Sequence, residues 1–115
     1  MKIAVKRVYE PADKHDGKRV LVDRLWPRGL KKEDAAIDLW MKDAAPSTKL
    51  RKWFSHDVLK WKEFQRRYRA ELDQNREALQ PLTEASLKGP VTLLYGAHDT
   101  GHNNAVVLQS YLKTM

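Results

Sequence analysis

Asp23, Arg24 and Arg28 fall within six residues of one another, in the stretch Val22-Asp23-Arg24-Leu25-Trp26-Pro27-Arg28-Gly29. One carboxylate and two guanidinium groups this close can grip an anion, because an arginine fork matches two oxygens of a phosphate or carboxylate at once. Asp23 would then orient an arginine or act as an acid or base. The same residues can equally form an internal ion pair that braces a tight turn, with Trp26 packing rather than stacking on a ligand.

Two more stretches bring comparable groups. Ala45-Pro46-Ser47 leads through Arg51 and Lys52 to Ser55-His56-Asp57. Ser47 suits a helix cap and is also a candidate ligand-binding hydroxyl, and Arg51 would extend a basic wall. His56 is a candidate general base, although Asp57 beside it is placed to cap a helix rather than to orient the ring. The third stretch runs from Tyr95 through Gly96, His98, Asp99, Gly101 and His102 to Asn103-Asn104. It leads into a helix, whose first N–H groups suit an anion. Asp99 is a candidate acid or base, and Tyr95 and Asn103 are candidate ligand contacts. Asp99 or Asn103 can instead simply cap the helix. His98 and His102 have the spacing of a helical metal pair, but Gly101 between them marks a loop, so no metal site is expected.

The elements that must position these groups can be read from the apolar pattern. Residues 3–8 and 19–23 read as strands, with a loop over 10–17 between them. A short helix is expected over 31–36 and a third strand over 37–42. Ser47 caps a helix over 48–54, and Asp57 caps the next. In that helix Val58, Trp61, Phe64, Tyr68 and Leu72 share one face, and Lys60, Lys62, Arg66, Arg67 and Arg69 the other. Asn75 is placed to cap a helical stretch reaching Lys88, with Pro81 as a kink or restart. Val91–Tyr95 is the clearest strand, and a last helix runs from Asn103 to Leu112. Strands separated by helices imply an α/β fold of three layers: a mainly parallel sheet of about four strands with helices on both faces. Ligands of such sheets bind outside the strand carboxyl ends. The three polar stretches all follow predicted strands or open the helices that pack on them.

Composition narrows the chemistry. The 115 residues suit a single domain over 1–115, with 42% hydrophobic and 32% charged residues, as in a soluble globular protein. There is no cysteine, so disulfides and thiolate nucleophiles are excluded. No Walker motif or dinucleotide glycine run is present, and no cofactor is expected. Neither a membrane span nor a signal peptide is legible, which makes the cytoplasm the expected compartment. Net charge is +7, concentrated in residues 1–32 and 47–69, each at +6. Such charge favours anionic partners.

The three stretches, in order, resemble the YeaO-like branch of the domain-of-unknown-function 488 family. The resemblance rests on Val20–Gly29, on Ala45-Pro46-Ser47 with Leu50–Phe54, and on Val91–Tyr95 with Asp99 and Asn103-Asn104-Ala105. Trp61 and Phe64 fit between them. It implies a bacterial cytoplasmic protein of α/β type and carries over no substrate or catalytic residue. Larger relatives in the wider family often place a cysteine after the strand corresponding to Val91–Tyr95. This chain has none, so thiol chemistry is not implied.

The expected function is therefore that of a small enzyme or binding protein for an anionic small molecule or nucleotide, held in a cleft at the strand ends. Arg24, Arg28, Ser47, Arg51, Tyr95 and Asn103 would contact the ligand, and Asp23, His56 and Asp99 would supply any acid–base chemistry. Two alternatives stay open: a nucleic-acid-binding module using the basic face over 49–69, and an interaction protein without catalysis. The sequence leaves the oligomeric state open.

Overall fold

The short apolar runs become strands that all pair in parallel. The computed structural model describes residues 2–115. It places β1 (Ile3–Arg7), β2 (Lys18–Leu21), β3 (Leu39–Trp40) and β4 (Val91–Tyr95) in one sheet, in the order β1-β4-β2-β3. β4 lies inside the sheet, pairing Val91–Tyr95 with Ile3–Arg7 on one side and Val91–Leu94 with Lys18–Leu21 on the other. All its residues are buried, which is why it reads as a continuous apolar run rather than an alternating one.

Helices α2 (Thr48–Phe54), α3 (Trp61–Gln74), α4 (Gln80–Lys88) and α5 (Asn104–Lys113) make one covering layer, with α5 against β1 and β4 and α3 against α5. Ile3, Val20, Val22, Leu93 and Tyr95 from the sheet share a core with Phe54, Phe64, Tyr68, Leu72 and Leu108 from the helices. Each large side chain wholly removed from water contributes about 1.5–3 kcal/mol. The opposite face presents Leu21 and Leu94 to Trp26, Leu30, Ile37 and Trp40, from the segment that includes the single-turn helix α1 (Lys32–Ala35). The result is a three-layer α/β fold. No helix of the described residues is long and apolar enough to cross a membrane.

Ser47 and Asn103 cap the helices expected of them, whereas Asp57 caps a 3-10 turn, Val58–Lys60, that precedes α3; α3 itself starts at Trp61 without a side-chain cap, and Val58, expected on its apolar face, is exposed outside it. Ser47 Oγ accepts from Leu50 N at 3.1 Å, Asp57 Oδ1 from Leu59 N at 2.9 Å, and Asn103 Oδ1 from Val106 N at 3.1 Å. Several expectations shift in detail. The third strand shrinks from 37–42 to Leu39–Trp40, because only Val20 and Leu21 are available to pair with it. The expected loop over 10–17 contains a 3-10 turn, Lys14–Asp16, capped by the Asp13 side chain. Asn75 caps nothing with its side chain, which donates instead to Asp43 O at 3.1 Å.

Arg19 is a further departure from the apolar reading of β2. It is buried at 5% exposure, with its guanidinium on Asp16, Ala35 O and Ala36 O. Its backbone N–H donates to Asp38 at 2.8 Å. This one side chain ties the crossover between β1 and β2 to the end of α1.

Candidate functional site

Because the strands are parallel, their carboxyl ends lie along one edge, and the polar stretches gather there. A cavity of about 730 Å³ opens at this edge. Asp23, Arg24, Arg28, Arg51, His56, Asp99 and Asn103 all line it, although they come from three separated stretches of the chain. Leu25, Trp26, Pro27, Phe54 and Phe64 supply apolar wall.

Asp23 follows the last ladder bond of β2, in which Val22 N donates to Leu94 O at 3.1 Å. Its Oδ2 accepts from Gly96 N at 2.8 Å and its Oδ1 from Asn104 Nδ2 at 3.2 Å. A Cβ at position 96 would lie 3.2 Å from Asp23 Oδ2, closer than carbon and oxygen ordinarily pack. Glycine there allows the carboxylate to approach β4. Burial pushes the Asp23 carboxyl above its ordinary value; the Gly96 and Asn104 hydrogen bonds and the charges of His56 and Arg51 oppose the shift. Asp23 therefore keeps its proton to higher pH than a free aspartate.

The arginines divide their labour. No salt bridge joins Asp23 to any described residue, so the ion pair expected as one reading of the Asp23-Arg24 neighbours is not formed. Arg24 donates from Nε to Pro46 O at 3.0 Å and from Nη2 to Ala45 O at 3.4 Å, which straps its loop to the turn before α2. Trp40 Nε1 donates to Asp23 O at 2.8 Å and Tyr9 Oη to Arg28 O at 2.8 Å, holding the same loop at two further points. Arg28 itself is exposed at the rim. Arg51, from the middle of α2, has its Nε buried with no hydrogen-bond partner among the described residues.

His56 reaches the rim through an unusual corner. Ser55 and His56 both take left-handed backbone conformations, with φ 47° and 58°. Each costs about 1 kcal/mol or more in a residue with a Cβ. The His56 ring lies 6.3 Å from that of Phe54.

Asp99 serves the loop before α5. Its Oδ1 accepts from Gly101 N at 2.9 Å and His102 N at 3.0 Å, and its Oδ2 meets His102 Nδ1 at 2.9 Å. Those contacts, led by the Gly101 N–H, hold its carboxyl below the ordinary value. Asn103 is buried, receives Val106 N–H and donates to Asp99 O at 3.0 Å. Two candidate residues do not line the cavity. Ser47 donates its hydroxyl to Glu71 Oε2 at 2.6 Å, clamping α2 to α3. Tyr95 packs in the core, where burial raises its hydroxyl pKa.

Asn104 is the polar group that sequence reasoning passed over. It stands in the first turn of α5, beside the end of β2, and donates to both Val22 O, at 2.9 Å, and Asp23. Its position just after a cap residue was the available signal. Phe64, expected on the apolar face of its helix, serves as core and cavity wall together, and so does Phe54.

Chemically, the cavity can hold an anion on guanidinium groups, place the Asp23 carboxyl beside it, and enclose an apolar body. Among the described residues no cluster of three or more histidine or acidic side chains could hold a metal ion.

A family model described as the inactive DUF488-N3 subclade matches residues 2–115 of this sequence. The uncharacterized protein YeaO of Escherichia coli (strain K12) is 48% identical over 115 residues, covering 100% of both chains. The uncharacterized protein Rv3073c of Mycobacterium tuberculosis (strain ATCC 25618 / H37Rv) is 40% identical over 111 residues, covering 96% of this chain and 93% of the other. No solved structure matches the chain.

Proposed function

The chain belongs to the inactive DUF488-N3 subclade, and from that premise we propose that it binds a small anionic organic molecule in the cleft at the strand carboxyl ends, without covalent catalysis. The ligand bears a phosphate or carboxylate, and nucleotides fall within this class. One observation carries the reading: Arg51 lines the cavity, its Nε has no hydrogen-bond partner, and its guanidinium joins no salt bridge among the described residues. Such a guanidinium has no anion within the protein to neutralise it, and a ligand phosphate or carboxylate would supply one.

The surroundings support the same ligand. Arg24, Arg28 and Arg51 outnumber Asp23 and Asp99, the acids of the lining. The cleft is thus electropositive. Its volume lies within the roughly 300–1,000 Å³ usual for small-molecule sites, and its aromatic walls suit an organic body rather than a bare ion. The family description favours binding over turnover. Asp99 and Asn103 are engaged in building the loop, which leaves Asp23, His56 and His98 as the lining acid–base groups for a ligand to meet.

A thermal-shift screen of nucleotides, sugar phosphates and carboxylates tests this. A ligand at 100 times its Kd should add about 2.7 kcal/mol of stability. Arg51→Ala should abolish the shift and Arg28→Ala should weaken it. No stabilising anion, or a shift that survives Arg51→Ala, would overturn the reading.

The basic face of α2 and α3 supports a second, weaker reading as a polyanion surface. Lys49, Lys52 and Lys62 are exposed there. Two of its arginines are already engaged, since Glu63 accepts from Arg66 at 2.7 Å and Arg67 at 2.7 Å. That reading requires nucleic-acid affinity that falls steeply with salt and is lost on charge reversal at Arg66 and Arg67.

A further inference from the structure

The cleft carries two chemically opposite kinds of group, and together they specify more than an anion. Beside Asp23 the floor offers acceptors. An asparagine side chain has two donor hydrogens and one acceptor oxygen. Asn104 spends its donors on Val22 O and Asp23 Oδ1. What it has left to offer is Oδ1. Each Asp23 oxygen takes one hydrogen bond from the protein, from Gly96 N–H or Asn104, and keeps a free lone pair. A ligand group seated here must donate hydrogen bonds. Arg51 and Arg28 offer only donors, so a ligand group seated there must accept, and an anion accepts best. The two kinds do not satisfy each other, since no salt bridge joins Asp23 to either arginine.

We infer that the ligand is a sugar phosphate, free or as the ribose phosphate of a nucleotide, with its hydroxyls on Asp23 and Asn104 and its phosphate on Arg51. This rests on the anion-binding reading above and names the ligand class for that same cleft. Vicinal hydroxyls supply the donors that the floor lacks, and a carboxylate accepting from two hydroxyls holds them in one orientation. The phosphate supplies the Arg51 guanidinium with the anion that the protein does not. The walls of Trp26, Phe54 and Phe64 leave an apolar surface against which a sugar ring or a base can lie.

Titration calorimetry on the wild-type chain separates the possibilities with four probes: inorganic phosphate, ribose 5-phosphate, adenosine 5′-monophosphate and its 2′,3′-dideoxy form. The inference requires ribose 5-phosphate or the nucleotide to bind about tenfold or more tighter than phosphate, as expected for added hydrogen bonds to a charged group. It also requires the dideoxy nucleotide to lose that gain. Tightest binding by ribose 5-phosphate identifies a free sugar phosphate, and tightest binding by the nucleotide identifies a base-bearing one. Equal affinity for all four probes overturns the inference while leaving anion binding intact. No binding of any probe overturns the inference, and only the broader anion screen then bears on the reading beneath it. In Asp23→Asn the hydroxyl-dependent gain should shrink while phosphate affinity stays. Arg51→Ala should show the reverse, weakening every phosphate probe. The probe series in the wild type stands whether or not Asp23→Asn folds well.

Discussion

Replacing Asp23 by alanine measures how far this carboxylate is scaffold and how far it is site. The structure fixes the expected size of the effect. Asp23→Ala strips the acceptor from Gly96 N–H and one of two acceptors from Asn104 Nδ2. An N–H left unpaired in a half-buried place costs about 1–3 kcal/mol, while Asn104 keeps Val22 O and loses less. Removing a carboxylate that is disfavoured in its ionised form returns part of this. The net loss should be about 1–3 kcal/mol, or roughly 4–15 °C in Tm for a domain of this size. A buried ion pair broken from one side would cost about 3–5 kcal/mol instead. Urea unfolding at pH 7 reads the difference. A loss above about 4 kcal/mol would mean that Asp23 has an arginine partner, contrary to its hydrogen-bond pattern. No loss at all would mean that the Gly96 and Asn104 bonds hold nothing.

The pH dependence gives an independent check with a definite sign. Asp23 has a folded pKa above its unfolded value. Between those two values the folded state binds the extra proton, so stability falls as pH rises through the window. The contribution is fully present below the unfolded value, near pH 4. It is lost as pH climbs through the raised folded one. Asp23→Asn removes this titration, so the stability of the wild type relative to the variant should decline on going from pH 4 toward neutrality. A relative stability that rises over that range would show the carboxylate to be stabilised in its charged form, and the argument from burial would fail.

Three further outcomes follow from side chains that the fold, rather than the cleft, employs. Arg19→Met should cost about 3–5 kcal/mol in urea unfolding, because Asp16 loses a buried partner and the Ala35 and Ala36 carbonyls lose their donor. Ser47→Ala should cost about 1–2 kcal/mol through the lost cap and leave ligand affinity unchanged; a change in affinity would return Ser47 to the site. His56→Gly should be near neutral or stabilising by up to about 1 kcal/mol, since glycine accepts φ 58° freely, yet it should weaken anion binding. A loss of stability in that variant would instead make the Phe54 contact the reason for the histidine.

The architecture was legible because it depends on patterns that a sequence displays. Val91–Tyr95 is apolar throughout, and a strand with both faces covered must be. Ser47, Asp57 and Asn103 are capping residue types at helix starts. Tertiary choices were not legible. Arg19 interrupts an apolar strand, and only the arrival of Asp16 and the end of α1 explains how it can be buried. Asn75 has the right type and place for a cap but finds Asp43 O instead. At the site the three stretches could be nominated, but not the division of roles within them. Ser47 has its partner, Glu71, on another helix, and single-sequence spacing does not reveal it.

The pairing of charges shows why. Asp23 and Arg24 are neighbours, which invites an ion pair. Neighbouring side chains at the end of an extended strand point to opposite sides, however, so proximity in sequence works against contact in space. Asp23 turns toward β4 and α5, and Arg24 turns toward the Ala45-Pro46 turn. The charge that actually bears on Asp23 comes from Arg51 and His56, brought in by α2 and the strained corner after it. This separation has a consequence for the cleft. Had Asp23 and Arg24 paired, acceptor and donor would have neutralised each other, and no polar capacity would remain to recognise a ligand. With Arg24 committed to backbone carbonyls, the loop is held still and Asp23 and Arg51 stay unmatched. Unmatched groups on a braced frame give affinity without the cost of ordering loops on binding.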